Sequence, residues 1–365
     1  MIRKALLLSA APLLAAAISL SAQAQEKVVN VYNWSDYIDP TIIDEFTKET
    51  GIKVTYDVFD SNEILETKLL AGGSGYDVVV PTGHFLARQI EAGAFQKLDK
   101  SKLPNLANMW DVVSERTGKY DPGNEYSINY MWGTTGIGYN TKKVSDALGI
   151  EVIDSWDVFF DPAKLAKLAD CGVYVLDSPT DILPTALRYL GLDPESTSPD
   201  DLAKAEELMT KIRPSVRKFH SSEYINALAN GDICLAVGWS GDIFQARDRA
   251  AEADQGVAIG YAVPKEGAEM WFDQLAIPAD AKHVDEAHAF LNYIMKPEVA
   301  AKASNYILYA NGNKASQQFI EKEILDDPAI YPDEATLQKL FTVSPYDPKT
   351  QRTITRIWTK IVTGQ

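Results

Sequence analysis

The chain has 365 residues and a net charge of −16, from 51 acidic and 35 basic side chains. So acidic a surface repels a phosphate backbone, which excludes nucleic acid as a partner, and draws small cations toward it. The length exceeds what one hydrophobic core organises and favours two domains.

The chain opens with Met1-Ile2-Arg3-Lys4, runs apolar from Ala5 to Leu20, and continues Ser21-Ala22-Gln23-Ala24-Gln25. A basic start, an apolar core and an Ala-x-Ala site form a secretory signal, 1–24, with cleavage expected after Ala24. A membrane anchor fits less well, because a spanning helix needs ~20 apolar residues. The exported part is expected to be soluble, with its net charge lowered to −18 by loss of Arg3 and Lys4.

Residues 27–32 alternate and are rich in valine, which predicts a strand. Asp39-Pro40 opens a helix through Thr50, and Gly51 stops it. Residues 52–59 predict a second strand, Ser61 caps a helix through Ala71, and Gly72-Gly73-Ser74-Gly75 makes a turn. The apolar run 76–80 suits a strand buried on both faces, and 85–92 a helix ending at Gly93. This β-α-β-α-β order predicts a mostly parallel sheet with helices on its faces.

Residues 100–129 read as loop and 130–139 as extended. A second α/β series follows, with strands at 173–176 and 233–237 and helices at 182–190, 199–212, 221–230 and 240–253. Residues 257–263 and 270–277 are again extended, and 280–295, 297–304, 317–325 and 349–362 are helical. Extended links between two α/β series predict two lobes joined by strands, the chain crossing between them more than once.

Three distant stretches set a tryptophan beside an aspartate: Trp34-Ser35-Asp36, Trp239-Ser240-Gly241-Asp242 and Trp271-Phe272-Asp273. Indole is the best π face for a cation, and a carboxylate accepts hydrogen bonds from an ammonium. In α/β sheets ligands sit beyond the carboxyl ends of strands, where all three pairs are expected. Incidental core tryptophans are the plainer alternative for any single pair; three pairs favour a cage for a small organic cation. Thr82, Gly83 and His84 follow one predicted strand, and Asp177, Ser178, Thr180 and Asp181 follow another. Asp181 fits equally well as a helix-start residue offsetting the dipole.

No nucleophile elbow, Walker loop, dinucleotide fingerprint or metal-ligand spacing is present. His84, His220, His283 and His288 are scattered, so no metal and no cofactor is expected. Paired aspartates leave a glycosidase-like enzyme as a distant alternative. Cys171 and Cys234 are the two cysteines, and export to an oxidising compartment predicts that they bond.

Long stretches resemble the polyamine-binding proteins of bacterial ABC importers, especially the periplasmic putrescine binders. They include Val31-Tyr32-Asn33-Trp34-Ser35-Asp36-Tyr37-Ile38, Asp57-Val58-Phe59-Asp60-Ser61-Asn62-Glu63 and Tyr130-Met131-Trp132-Gly133-Thr134-Thr135-Gly136-Ile137-Gly138-Tyr139-Asn140. Leu228-Ala229-Asn230-Gly231-Asp232-Ile233-Cys234, Val263-Pro264-Lys265-Glu266-Gly267-Ala268 and Tyr309-Ala310-Asn311 extend the match.

The resemblance implies a type II periplasmic binding fold, α/β and two-lobed, each lobe a mostly parallel sheet flanked by helices, with a strand hinge. The expected lobes are 25–131 with 263–312, and 132–262 with 313–365. It implies a periplasmic monomer that captures a polyamine, putrescine first, and delivers it to an ABC permease in the inner membrane. Spermidine binding and a receptor-signalling role are the alternatives within that fold. Carried onto matching positions, Trp34, Trp239, Trp271 and Tyr309 wall the ligand. Ser35, Asp36 and Asp273 hold one ammonium, Asp242 and Asp181 the other, and Tyr37, Thr82 and His84 complete the site. Asp181, His84 and Trp271 stand where putrescine binders carry glutamate, serine and phenylalanine. That pattern predicts a diamine preference that widens at low pH, through a protonated His84.

Overall fold

The computed structural model describes residues 27–364; the predicted signal 1–24 and its cleavage site lie outside the described residues. β1 (Val28–Trp34), β2 (Lys53–Phe59) and β3 (Val78–Val79) are mutually parallel about β1. The helix Pro40–Thr50 starts at Asp39, whose side chain accepts from the Thr41 amide, and ends at Gly51 with φ 71°. Ser61 likewise accepts from the Ile64 amide and caps the helix Asn62–Ala71.

β4 (Ser127–Asn140) is 14 residues long and buried throughout. β5 (Val173–Val175), β6 (Lys218–Phe219) and β7 (Leu235–Trp239) form a second parallel set. β8 (Ile259–Ala262), β9 (Glu269–Ala276) and β10 (Ala310–Asn311) all run antiparallel to β4. The path across the sheet is β2-β1-β3-β9-β4-β7-β5-β6.

The two parallel sets therefore meet at β4. Its residues from Ser127 to Thr135 pair with β9, and those from Thr135 to Tyr139 pair with β7 on the other edge. One strand serves both halves, as strand-linked lobes require. Each half has its own core. Val29, Phe46, Leu65 and Phe290 lie in one, and Trp156, Phe159, Leu183 and Trp358 in the other. The Cys171–Cys234 disulfide is present at the edge of the second core.

Two expectations change. The strand expected at 76–80 contracts to two residues, because Asp77 turns its carboxylate to the amides of Asn30, Lys282 and His283. The loop expected at 100–129 contains the helix Asp111–Thr117. Beyond Gly312 the chain first runs on beside the first half. Asn313 donates to the Met295 carbonyl, and Ser316 donates to Asn311. Ile320 and Ile324 then join a third cluster with Val113, Trp132 and Phe272. The second core is rejoined by the helix Pro348–Thr363, through Ile354, Ile357 and Trp358.

Candidate functional site

Trp34 ends β1 and Trp239 ends β7, so two of the three pairs stand at carboxyl ends of parallel strands. The third does not. Trp271 and Asp273 lie within β9, the antiparallel strand at the centre of the sheet. Strand alternation puts Glu269, Trp271 and Asp273 on one face. All three line one cavity, together with Trp34, Ser35, Tyr37, Thr82, His84, Asp181, Trp239, Asp242 and Tyr309.

The aromatic rings form a connected wall. Trp34 meets Trp239 at 5.4 Å between centroids, Trp239 meets Trp271 at 6.4 Å, and Trp271 meets Tyr309 at 5.3 Å. Tyr37 closes on Tyr309 at 5.2 Å. Two glycines make room for the rings: a Cβ at Gly133 would lie 2.7 Å from the Trp271 ring, and one at Gly241 2.4 Å from Tyr309.

The carboxylates are held by neutral donors. Asp273 accepts from Thr82 Oγ1 at 2.7 Å and from the Tyr37 hydroxyl at 2.8 Å. Asp242 accepts from Tyr224 at 2.6 Å and Tyr309 at 2.8 Å. Asp181 accepts from Thr135 at 2.6 Å, Ser178 at 2.5 Å and the Trp239 indole at 3.1 Å. No cation is among the main charges acting on Asp181 or Asp273; Arg249 alone reaches Asp242, and its guanidinium is paired with Asp36.

Burial without a counter-charge shows in the acidities. Desolvation pushes Asp242 and Asp273 each up to about 7, against hydroxyl hydrogen bonds that pull the other way. Asp181 is also raised by burial. Asp242 and Asp181 sit in the first turns of the helices Ser240–Ala253 and Pro179–Tyr189, whose dipoles offset part of their charge. Asp181 therefore has both roles open to it in the sequence, helix start and cavity wall.

Asp36 does not join the cavity. It has φ 53°, and its side chain, 41% exposed, reaches Arg249 at 2.8 Å. His84 does line the cavity, but it cannot act as an imidazolium. Burial, with Arg88 and Lys119 adding, pushes its pKa down to about 3. Its Nε2 is buried and without a partner among the described residues.

A profile of bacterial extracellular solute-binding proteins matches residues 41–332. The chain belongs to that family. Relatives of this solute-binding protein include the putrescine-binding periplasmic protein SpuD of Pseudomonas aeruginosa, 54% identical over 354 residues and matched over 96% of each chain. The putrescine-binding periplasmic protein PotF of Escherichia coli is 52% identical over 344 residues, 94% of this chain and 93% of that one. Among solved structures, the spermidine/putrescine ABC transporter substrate-binding protein PotD of Streptococcus pneumoniae superposes with a TM-score of 0.74. It is 30% identical and covers 92% of this chain and 98% of its own. The fold is the two-lobed α/β architecture of periplasmic binding proteins.

Sequence reasoning missed Asp60, Asn62, Ser221 and Glu269 in the lining of this solute-binding protein's cavity, and Thr135 and Tyr224 behind it. Asn62 exchanges hydrogen bonds with Thr82, at 2.9 and 3.1 Å, and so orients the hydroxyl that serves Asp273. Thr135 and Tyr224 support Asp181 and Asp242 from positions that carry no local signal. Glu269 was legible, since it stands two residues before Trp271 and four before Asp273 on an alternating strand.

Proposed function

We propose that this protein is the periplasmic receptor of an ABC importer for aliphatic polyamines, putrescine first. The observation that carries the reading is the state of Asp242 and Asp273. They are buried, served only by hydroxyls, and walled by five aromatic residues that suit a methylene chain and its ammonium ends. An ammonium 4 Å from such a carboxylate gains ~4 kcal/mol at an effective dielectric of ~20, before desolvation. The relatives it matches are solute-binding proteins, and on that likeness we read the receptor as one that returns its cargo unchanged.

The lobes we assign are 27–131 with 263–319, and 132–262 with the helix Pro348–Thr363. Contacts that cross between them describe the closed form. Tyr309 donates to Asp242, Arg249 pairs with Asp36, and Arg88 donates to Gln351. A dication that touches carboxylates of both lobes favours this form over an open one, the condition for ligand-driven closure. The closed monomer then presents its cargo to the permease. Residues 1–24 direct export.

Calorimetry with putrescine, cadaverine, agmatine and spermidine, followed by recovery of labelled putrescine, tests the reading. The expected result is saturable binding with the ligand returned unchanged. Absence of binding by every amine, or a converted product, overturns it.

A further inference from the structure

Glu269 lines the cavity, is 1% exposed, and leaves Oε2 buried without a partner among the described residues. A fully buried position with no hydrogen-bond duty is filled best by an apolar side chain, because an unpaired buried carboxyl is costly. Burial, with Asp181 adding, raises the Glu269 pKa well above the carboxylate range, and no cation is among the charges acting on it. Tyr120 and Tyr346 lie near enough to feel its charge, but no hydrogen-bond donor among the described residues meets Oε2.

Its position says what would use it. Glu269 pairs in the sheet with Thr135, whose hydroxyl serves Asp181. It therefore stands at the Asp181 end of the cavity. Along β9 the order is Glu269, Trp271, Asp273: carboxyl, indole, carboxylate on one face of one strand. At ~3.3 Å per residue the two acids are about 13 Å apart at Cα. An extended chain advances ~1.2 Å per bond, so a four-carbon diamine, with five bonds between its nitrogens, spans roughly 6 Å. A diamine held on Asp273 does not reach Glu269. A linear triamine with three- and four-carbon spacers has nine such bonds and spans roughly 11 Å, enough to cross the Trp271 face.

We propose that Glu269 is an added anionic pole of the cavity that takes the third cationic centre of a linear triamine. This rests on the polyamine-receptor reading above. It assigns a ligand-binding role to Glu269 and a bridging role to the Trp271 ring between the two poles.

The test is calorimetry at pH 8 on ligand-free protein, with spermidine and putrescine as the probes. Glu269→Gln keeps shape and removes charge. It is expected to weaken spermidine at least tenfold and to change putrescine by less than threefold. Equal losses for both amines, or no loss for either, overturn the proposal. Glu269→Met, which fills the same space without a polar atom, gives the same two readouts if the amide variant misfolds. Failure of the unmutated protein to bind putrescine overturns the receptor reading itself. Putrescine binding with no spermidine binding overturns the role of Glu269 alone.

Discussion

Replacing Asp273 by asparagine should weaken the ligand and strengthen the empty protein, two effects of opposite sign from one atom pair. Asp273 is buried and its pKa is about 7 in the absence of ligand, against an ordinary value of 3.8. At about 1.4 kcal/mol per pH unit, holding the charge in the folded empty site costs ~4 kcal/mol. Asparagine removes that cost. It also offers one acceptor where Thr82 and Tyr37 both donate, and that mismatch takes back ~1–3 kcal/mol. The net expectation at pH 8 is a gain of ~1–3 kcal/mol in unfolding free energy. The sign depends on pH. Between 3.8 and about 7 the native carboxyl binds more protons than the unfolded one, so wild-type stability falls as pH rises through that window. Near pH 4 the advantage of the variant vanishes and only the mismatch remains. Putrescine affinity should meanwhile drop by ~2–5 kcal/mol, the usual cost of truncating a buried charge pair. Urea unfolding at pH 4 and pH 8, on protein stripped of ligand by unfolding and refolding, measures the first effect, and calorimetry the second. A variant equally destabilised at both pH values, or one with undiminished putrescine affinity, would refute the account of a carboxylate waiting for a cation.

The same acidities set the pH dependence of binding. With Asp242 and Asp273 both at about 7, a cation must displace protons below that pH, and putrescine should weaken by about tenfold or more from pH 8 to pH 6. His84 stays neutral over that range, so His84→Gln should leave the slope of calorimetric affinity against pH unchanged. Asp36→Ala should cost less than ~1 kcal/mol in putrescine affinity, since it breaks a half-exposed ion pair with Arg249 rather than a ligand contact; a loss as large as that of Asp273→Asn would return Asp36 to the site. Thiol titration of denatured, unreduced protein should find no free cysteine. Replacing Cys171 and Cys234 by serine should lower the urea midpoint by the equivalent of ~2–4 kcal/mol, because the bond closes a 63-residue separation.

Much of the fold is written locally. The caps Asp39 and Ser61, the stop at Gly51 and the helix Ser240–Ala253 were all readable, because capping and helical period are properties of neighbouring residues. The Asn140 cap and Gly149 stop of the helix Thr141–Leu148 carried the same signals and went unread. The tryptophan–aspartate pairs were visible as chemistry, and two of the tryptophans do stand at strand ends. What the sequence could not decide was where side chains point once distant segments meet. Asp36 and Asp242 look alike beside their tryptophans, yet one turns out to Arg249 and the other is sealed between Tyr224 and Tyr309. His84 reads as a titratable imidazole until burial near Arg88 and Lys119 keeps it neutral. Sequence alone determined the residue types able to hold a cation, since those depend on side-chain chemistry. Only the tertiary structure decided which carboxylates lose their water, because desolvation is set by every segment that packs around the group.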